Sequence, residues 1–169
     1  DYPHVDKVLW YENDSTGSFT KHTIVSDAHR TSAVFAIDLD SDGDIDVLHS
    51  STWDNTVAWH KNDGNENFTT YVISSSAGFA KDVFALDMDG DNDIDIITVQ
   101  ASDSKVIWYE NDGAENFSSH TVSTQAANPG SVYAADLDND GDVDILSSAH
   151  PTTHWHKNDG SQNFTHYTI

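Results

Sequence analysis

Aspartate occupies every odd position of three nine-residue stretches. They read D-L-D-S-D-G-D-I-D from Asp38 to Asp46, D-M-D-G-D-N-D-I-D from Asp87 to Asp95 and D-L-D-N-D-G-D-V-D from Asp136 to Asp144, at a constant spacing of 49 residues. The carboxylates are those of Asp38, Asp40, Asp42, Asp44 and Asp46, of Asp87, Asp89, Asp91, Asp93 and Asp95, and of Asp136, Asp138, Asp140, Asp142 and Asp144. Five like charges so close together repel one another, and such a segment becomes compact only when a cation sits among them. Hard oxygen ligands at alternate positions suit calcium, which takes about 6–8 oxygens at roughly 2.3–2.6 Å. The expectation is three calcium ions, one per copy. A solvated acidic turn would account for one such loop, and poorly for three at constant spacing.

The spacing separates these loops from an EF-hand, which requires a bidentate Glu at position twelve and flanking helices. Position twelve is His49, Thr98 or Ser147 here, and the ninth position carries Asp instead. The flanks, such as AVFAIDLD and IDVLHSS, alternate apolar and polar residues, which is the period of a strand. Each loop therefore closes a β-hairpin. Gly43 and Gly141 at position six permit positive φ; in the middle copy Gly90 has moved to position four and Asn92, which tolerates that conformation, stands at position six. The middle site is expected to survive with some distortion.

A second hairpin alternates with the first. It reads VLWYENDSTGSFTKHTI from Val8, VAWHKNDGNENFTTYVI from Val57, VIWYENDGAENFSSHTV from Val106 and THWHKNDGSQNFTHYTI from Thr153. Each copy is a strand, an Asn-Asp turn and a second strand. With the acidic hairpin as strands A and B of a unit and this one as C and D, the chain runs CD, ABCD, ABCD, ABCD, fourteen short strands in all. Tyr and His exchange places between copies: Tyr11 and His22, His60 and Tyr71, Tyr109 and His120, His156 and Tyr167. The exchange predicts a register in which Tyr11 faces His22 and Glu12 faces Lys21, because opposed side chains interact directly. The charge beside the Tyr or His also alternates: Glu12, Lys61, Glu110, Lys157.

Composition narrows the function. The formal net charge is −22, from 29 acidic and 7 basic residues. Three calcium ions would offset about six of those charges. The remaining field disfavours nucleic acid and anionic membranes, whose phosphates require Lys and Arg. Cysteine is absent, which excludes disulfides and thiolate chemistry. No run of 18 or more apolar residues suggests membrane insertion, and no signal peptide is recognisable. The sequence starts at Asp1 with Met88 as its one methionine, so a processed or excised piece of something longer is expected. The loops suggest an extracellular or cell-surface setting, where loosely tuned calcium modules meet millimolar calcium.

Strand-rich repeats of this length fit a β-propeller of four-stranded blades. The segments SVYAADLDNDGDVDILSSA and VIWYENDGAENFSSHTV resemble the FG-GAP/VCBS class of calcium-binding propeller repeats, of bacterial type, a class also seen in integrin α-subunit heads and some lectins. The resemblance runs from about Val8 to Ile169. It implies ligands from the side chains at loop positions one, three, five and nine and from the backbone carbonyl of position seven, that is Asp44, Asp93 and Asp142. The strict glycine-rich integrin signature is absent, so no integrin-like partner is implied. The fold expected is all-β: one partial propeller domain over residues 1–169, with a half blade at 8–24 and blades at about 32–73, 81–122 and 130–169. Three and a half blades make an incomplete ring, since a propeller needs about four to eight. The missing blades are expected from other copies of the chain or from a longer parent.

Enzymatic readings find little support. No G-x-S-x-G nucleophile and no phosphate-binding glycine loop occur. His150, His154 and His156 cluster, and the last two share a strand face, but their spacing lacks the helical logic of a zinc site. The sequons at Asn13, Asn67, Asn116 and Asn163 fall mostly in the repeated turn and read as structural. Two function classes remain: a structural or adhesive module rigidified by calcium, and a calcium-dependent lectin in which exposed aromatics stack on glycans. Trp53 is the lectin candidate, lying outside the repeated hairpin where the other copies carry small residues such as Ser102 and Ala149 nearby.

Overall fold

The computed structural model describes residues 6–169. These form fourteen strands and no helix. A two-stranded antiparallel sheet joins β1 (Asp6–Asn13) to β2 (Phe19–Ala28). The first full blade is β3 (Thr31–Ile37), β4 (Asp46–Ser51), β5 (Thr56–Asn62) and β6 (Phe68–Ser74). The second is β7 (Ala80–Leu86), β8 (Asp95–Gln100), β9 (Lys105–Asn111) and β10 (Phe117–Ser123). The third is β11 (Pro129–Ala135), β12 (Asp144–Ala149), β13 (Thr152–Asn158) and β14 (Phe164–Thr168). Strands pair in sequence order within each blade, and the ring is not closed: this is an incomplete propeller.

The blades pack face to face through the strands that read most apolar. All six residues of β8 are buried, whereas the middle of β10 is exposed. One core cluster between the first two blades gathers Leu39, Leu48, Val57 and Trp59 against Ala77, Val83, Ala85 and Ile96. Its counterpart between the second and third gathers Met88, Ile97, Val99 and Trp108 against Ala126, Val132, Ala134 and Ile145. The A strands lie next to one another, and their rings form a ladder, Phe35 to Phe84 at 5.0 Å and Phe84 to Tyr133 at 4.9 Å between centroids.

Both ends of the stack leave this pattern open. Leu137 is 39% exposed although its equivalents Leu39 and Met88 are 2% exposed beneath a following blade. Val34 is 59% exposed although its equivalents Val83 and Val132 are buried beneath a preceding one, because the half blade of β1 and β2 brings no A and B strands to cover it. Covering a side chain such as Leu137 is worth about 1.5–3 kcal/mol.

The predicted hairpin register is off by one. Trp10, not Tyr11, faces His22, and Tyr11 faces Lys21. The other copies agree: Trp59 faces Tyr71, Trp108 faces His120 and Trp155 faces Tyr167. The cause is the turn. The Asn-Asp segment closes with Asp14 N–H donating to Ser18 C=O, as Asp63 does to Asn67. That makes Asn13 opposite Phe19 the last pair. A slip of one residue moves every side chain to the other face. Tyr and His of one hairpin thus stand on opposite faces, and the residue that exchanges is the ring packed against Trp, at 4.3 Å for Trp10 and His22 and 5.1 Å for Trp59 and Tyr71.

Candidate metal centre

The three acidic loops join A to B strands at one end of the blades. All three adopt one backbone. Position six has positive φ in each, 96° at Gly43, 76° at Asn92 and 97° at Gly141. Position four does likewise at Ser41, Gly90 and Asn139 (61°, 82° and 61°). Moving the glycine from position six to four in the middle loop therefore leaves the chain path intact, since Asn tolerates left-handed backbone.

The carboxylates divide into three tasks. Position one caps the turn: Asp38, Asp87 and Asp136 accept the N–H of position six at 3.0, 3.0 and 3.1 Å. Position nine is fully buried and ties the blade together. Asp95 accepts from Met88 N–H at 3.0 Å on one oxygen and from Asn111 N–H at 2.7 Å on the other. Asp46 and Asp144 do the same with Leu39 and Asn62, and with Leu137 and Asn158. Position seven turns its side chain away from the loop centre. A Cβ built on Gly64, Gly113 or Gly160 would lie 2.4–2.6 Å from the Asp44, Asp93 or Asp142 carboxylate, so each of these packs over the glycine of its blade's second turn.

Three carboxylates of each loop also converge. Asp38, Asp40 and Asp42 bring one carboxylate oxygen each within 4.8 Å of one another, as do Asp136, Asp138 and Asp140. In the middle loop the convergent set is Asp87, Asp89 and Asp95. The structure thus groups positions one and three in every copy, with five or nine as the third member, and takes the side chain of seven out of the set. Among the described residues the histidines form no such group. His154 and His156 do share a face of β13, where both pack against His166 and bond Thr152, Thr168 and Ser147 instead.

Electrostatics show what these groups lack. Burial pushes the Asp95 carboxyl up to about 6, against the pull of its two amide donors and the Trp108 indole. Burial raises Asp46 and Asp89 too, with Asp91 and Glu110 adding repulsion at Asp89. Lys61 reaches Asp40 in the first loop, and Lys157 reaches Asp138 and, at 3.1 Å, Asp140 in the third. The Asp40 oxygen that meets Lys61 is buried and accepts no hydrogen bond of ordinary geometry. Glu110 takes the lysine's place in the middle blade. The Glu/Lys alternation in the sequence was the signal for this, although nothing in it located those side chains at the loops. A donor set of carboxylates alone, with an ammonium already attracted to two of the three, fits a hard divalent cation.

Substituting position nine will act locally. Asp144→Ala removes the shared acceptor of Leu137 and Asn158 and will destabilise the third blade by about 3 kcal/mol. Hydrogen exchange will show loss of protection in β11–β14 with β3–β6 spared, because repeats transmit stability mainly to neighbours. Uniform loss across the blades would contradict this.

A family model of the FG-GAP-like repeat matches three times, over residues 2–49, 42–98 and 87–147. The chain belongs to the FG-GAP-like repeat family. Each match includes an acidic loop, and repeats of this family commonly bind calcium. No curated protein matches the chain. Among solved structures it is similar to a lectin of Agrocybe aegerita described as recognising non-reducing terminal N-acetylglucosamine, with a TM-score of 0.65 at 20% identity. The match covers 96% of this chain and 46% of the lectin, so the chain spans under half that protein's length. At this identity the likeness concerns the fold.

Proposed function

We propose that this FG-GAP-like chain is a calcium-stabilised, non-enzymatic propeller module that serves structural or adhesive assembly outside the cell. The observation that carries the reading is the threefold recurrence of one loop backbone with converging carboxylates. The ion in each loop would be held by the side chains of positions one, three, five and nine and by the carbonyl of position seven. Bound there, calcium supplies the positive charge that lets these carboxylates sit together, and it cross-links the A–B turn to the blade through position nine. The extracellular setting rests on the millimolar calcium that modules of this kind use.

Calcium titration by calorimetry tests the reading, and the loops should not titrate alike. The middle loop has five Asp and Glu110, a charge of −6, while the outer two have five Asp and one Lys, a charge of −4. One tight step and two weaker ones are expected. Glu110→Lys will weaken the tight step by at least about tenfold, the effect of two unit charges at close range in a watery environment. Three equal sites would contradict the charge argument, and absent heat would remove calcium from the account.

The open blade faces support assembly with further copies or with further blades. An isolated two-stranded hairpin is marginal in water. The β1–β2 sheet would gain order from A and B strands of another unit. Light scattering at micromolar concentration in calcium is expected to find oligomers, or exchange data to find fraying at β1–β2. A sharply melting, fully protected monomer would refute this.

Glycan binding is the second reading, favoured by the fold likeness and by Trp53. Its ring is 49% exposed in the turn between β4 and β5, with the Arg30 guanidinium 5.3 Å from its centroid. A glycan array with and without calcium separates the two.

A further inference from the structure

A second concave surface lies at the end of the blades opposite the acidic loops, where the A strands begin and the B strands finish. It is an open cleft of about 760 Å³ that spans all three full blades. Its volume falls within the range of ligand sites. Among the described residues no acidic one lines it, although the chain has 29, and two of the seven basic residues, Arg30 and Lys81, do. Two cations thus stand in the cleft lining on a molecule of net charge −22.

Its lining is built from one repeated position. Arg30, Phe79 and Asn128 stand 49 residues apart, and all three have left-handed backbone, with φ of 57°, 49° and 49°. Such a conformation is uncommon for Arg and Phe and persists only where the surroundings enforce it. Here the carbonyls of Arg30 and Phe79 are held by Thr52 and Ala101 N–H at 3.1 and 3.2 Å. A bulge follows in each A strand, at Thr31/Ala33, Ala80/Asp82 and Pro129/Ser131. All three side chains are exposed, with the Arg30 guanidinium lying over the Trp53 ring. The acidic loops keep nearly one sequence through the repeats, whereas this position holds a guanidinium, a phenyl ring and an amide. Lys81 of the second blade extends toward Asn128 at the start of the third, at 3.4 Å.

We propose that this cleft binds a carboxylate-bearing saccharide. Arg30 takes the carboxylate through its fork of N–H donors, Lys81 adds a point charge, Phe79 covers the apolar face of the sugar ring, and Asn128 and Ser32 bond its hydroxyls. The inference deepens the glycan-binding reading and is independent of the calcium reading.

The test titrates the 169-residue chain, in saturating calcium, with glucuronic acid, glucose and acetate. Glucuronic acid should bind at least tenfold more tightly than either of the others, and more weakly as salt rises, because screening acts on the charge contacts. Arg30→Gln and Lys81→Gln should each weaken it about tenfold. Phe79→Ala should bring glucuronic acid down toward acetate while leaving acetate unchanged. Arg30 and Phe79 are exposed and Lys81 lies at the cleft rim, and an unchanged melting curve in each variant establishes that the fold is kept. Equal binding of glucose, equal binding of acetate, salt-independent binding or no binding would each overturn the proposal. Neutral glycans captured on an array without preference for glucuronic acid in the cleft would leave the lectin reading standing and remove this one.

Discussion

Adding EGTA will lower the melting temperature of this protein by about 15–30 °C, and restoring calcium will reverse the change. A ligand that binds only the folded state at one hundred times its dissociation constant stabilises by about 2.7 kcal/mol per site. Three such sites sum to about 8 kcal/mol, comparable with the whole stability of a typical domain at about 5–15 kcal/mol. For a chain of this size 1 kcal/mol moves the midpoint by about 2–4 °C. The effect is large because the cation offsets repulsion that the fold itself creates, with position nine fully buried in every loop. An unchanged melt would end the metal reading.

Acid will loosen the outer blades before the middle one. His60 and His156 are completely buried, and desolvation lowers each to about 4. His60 bonds His49 at 2.7 Å and Thr70 at 2.9 Å, and His156 bonds Ser147 at 2.9 Å. An unfolded histidine titrates near 6.5, so between about 6.5 and 4 the unfolded chain binds more protons than the folded one. The stability of these neutral rings is complete above the unfolded value and is lost as pH falls through that window, up to about 3 kcal/mol each. The middle blade carries Tyr109 at this place, with its hydroxyl accepting from Gln100, and lacks this liability. Hydrogen exchange at pH 5 in saturating calcium should show β3–β6 and β11–β14 opening ahead of β7–β10. Substituting both histidines by Tyr should flatten the stability profile between pH 6.5 and 4.5. A profile unchanged by those substitutions would assign the acid sensitivity to carboxylates instead.

The repeat, the strand count and the acidic loops were legible in the residues, since each depends on local chemistry. Aspartates at alternate positions, a glycine or asparagine where φ must be positive, and alternating apolar residues on either side act within a few positions of one another. A recurrence at 49 residues then multiplies one local reading into an architecture. Hairpin register was not legible, because it depends on which backbone groups close a turn. The hydrogen bond from Asp14 to Ser18 decided the pairing of Trp10 with His22 that an inspection of side chains placed one residue away.

Tertiary structure alone divided the aspartates among their tasks. In the sequence the five carboxylates of a loop are equivalent; in the fold, position nine is a buried acceptor for two amides, position seven packs on a distant glycine, and positions one and three converge. It also decided which charged side chain meets which loop, because Lys61, Glu110 and Lys157 reach the loops only through the pairing of B with C strands. The cleft of Arg30, Phe79 and Asn128 is of the same kind. Residues 49 apart in the chain become neighbours only when three blades pack side by side. The sequence by itself determined the repeating unit and its acidic loop, because those need only short-range sterics and charge. The fold decided the use of each residue, because that depends on contacts between strands and between blades.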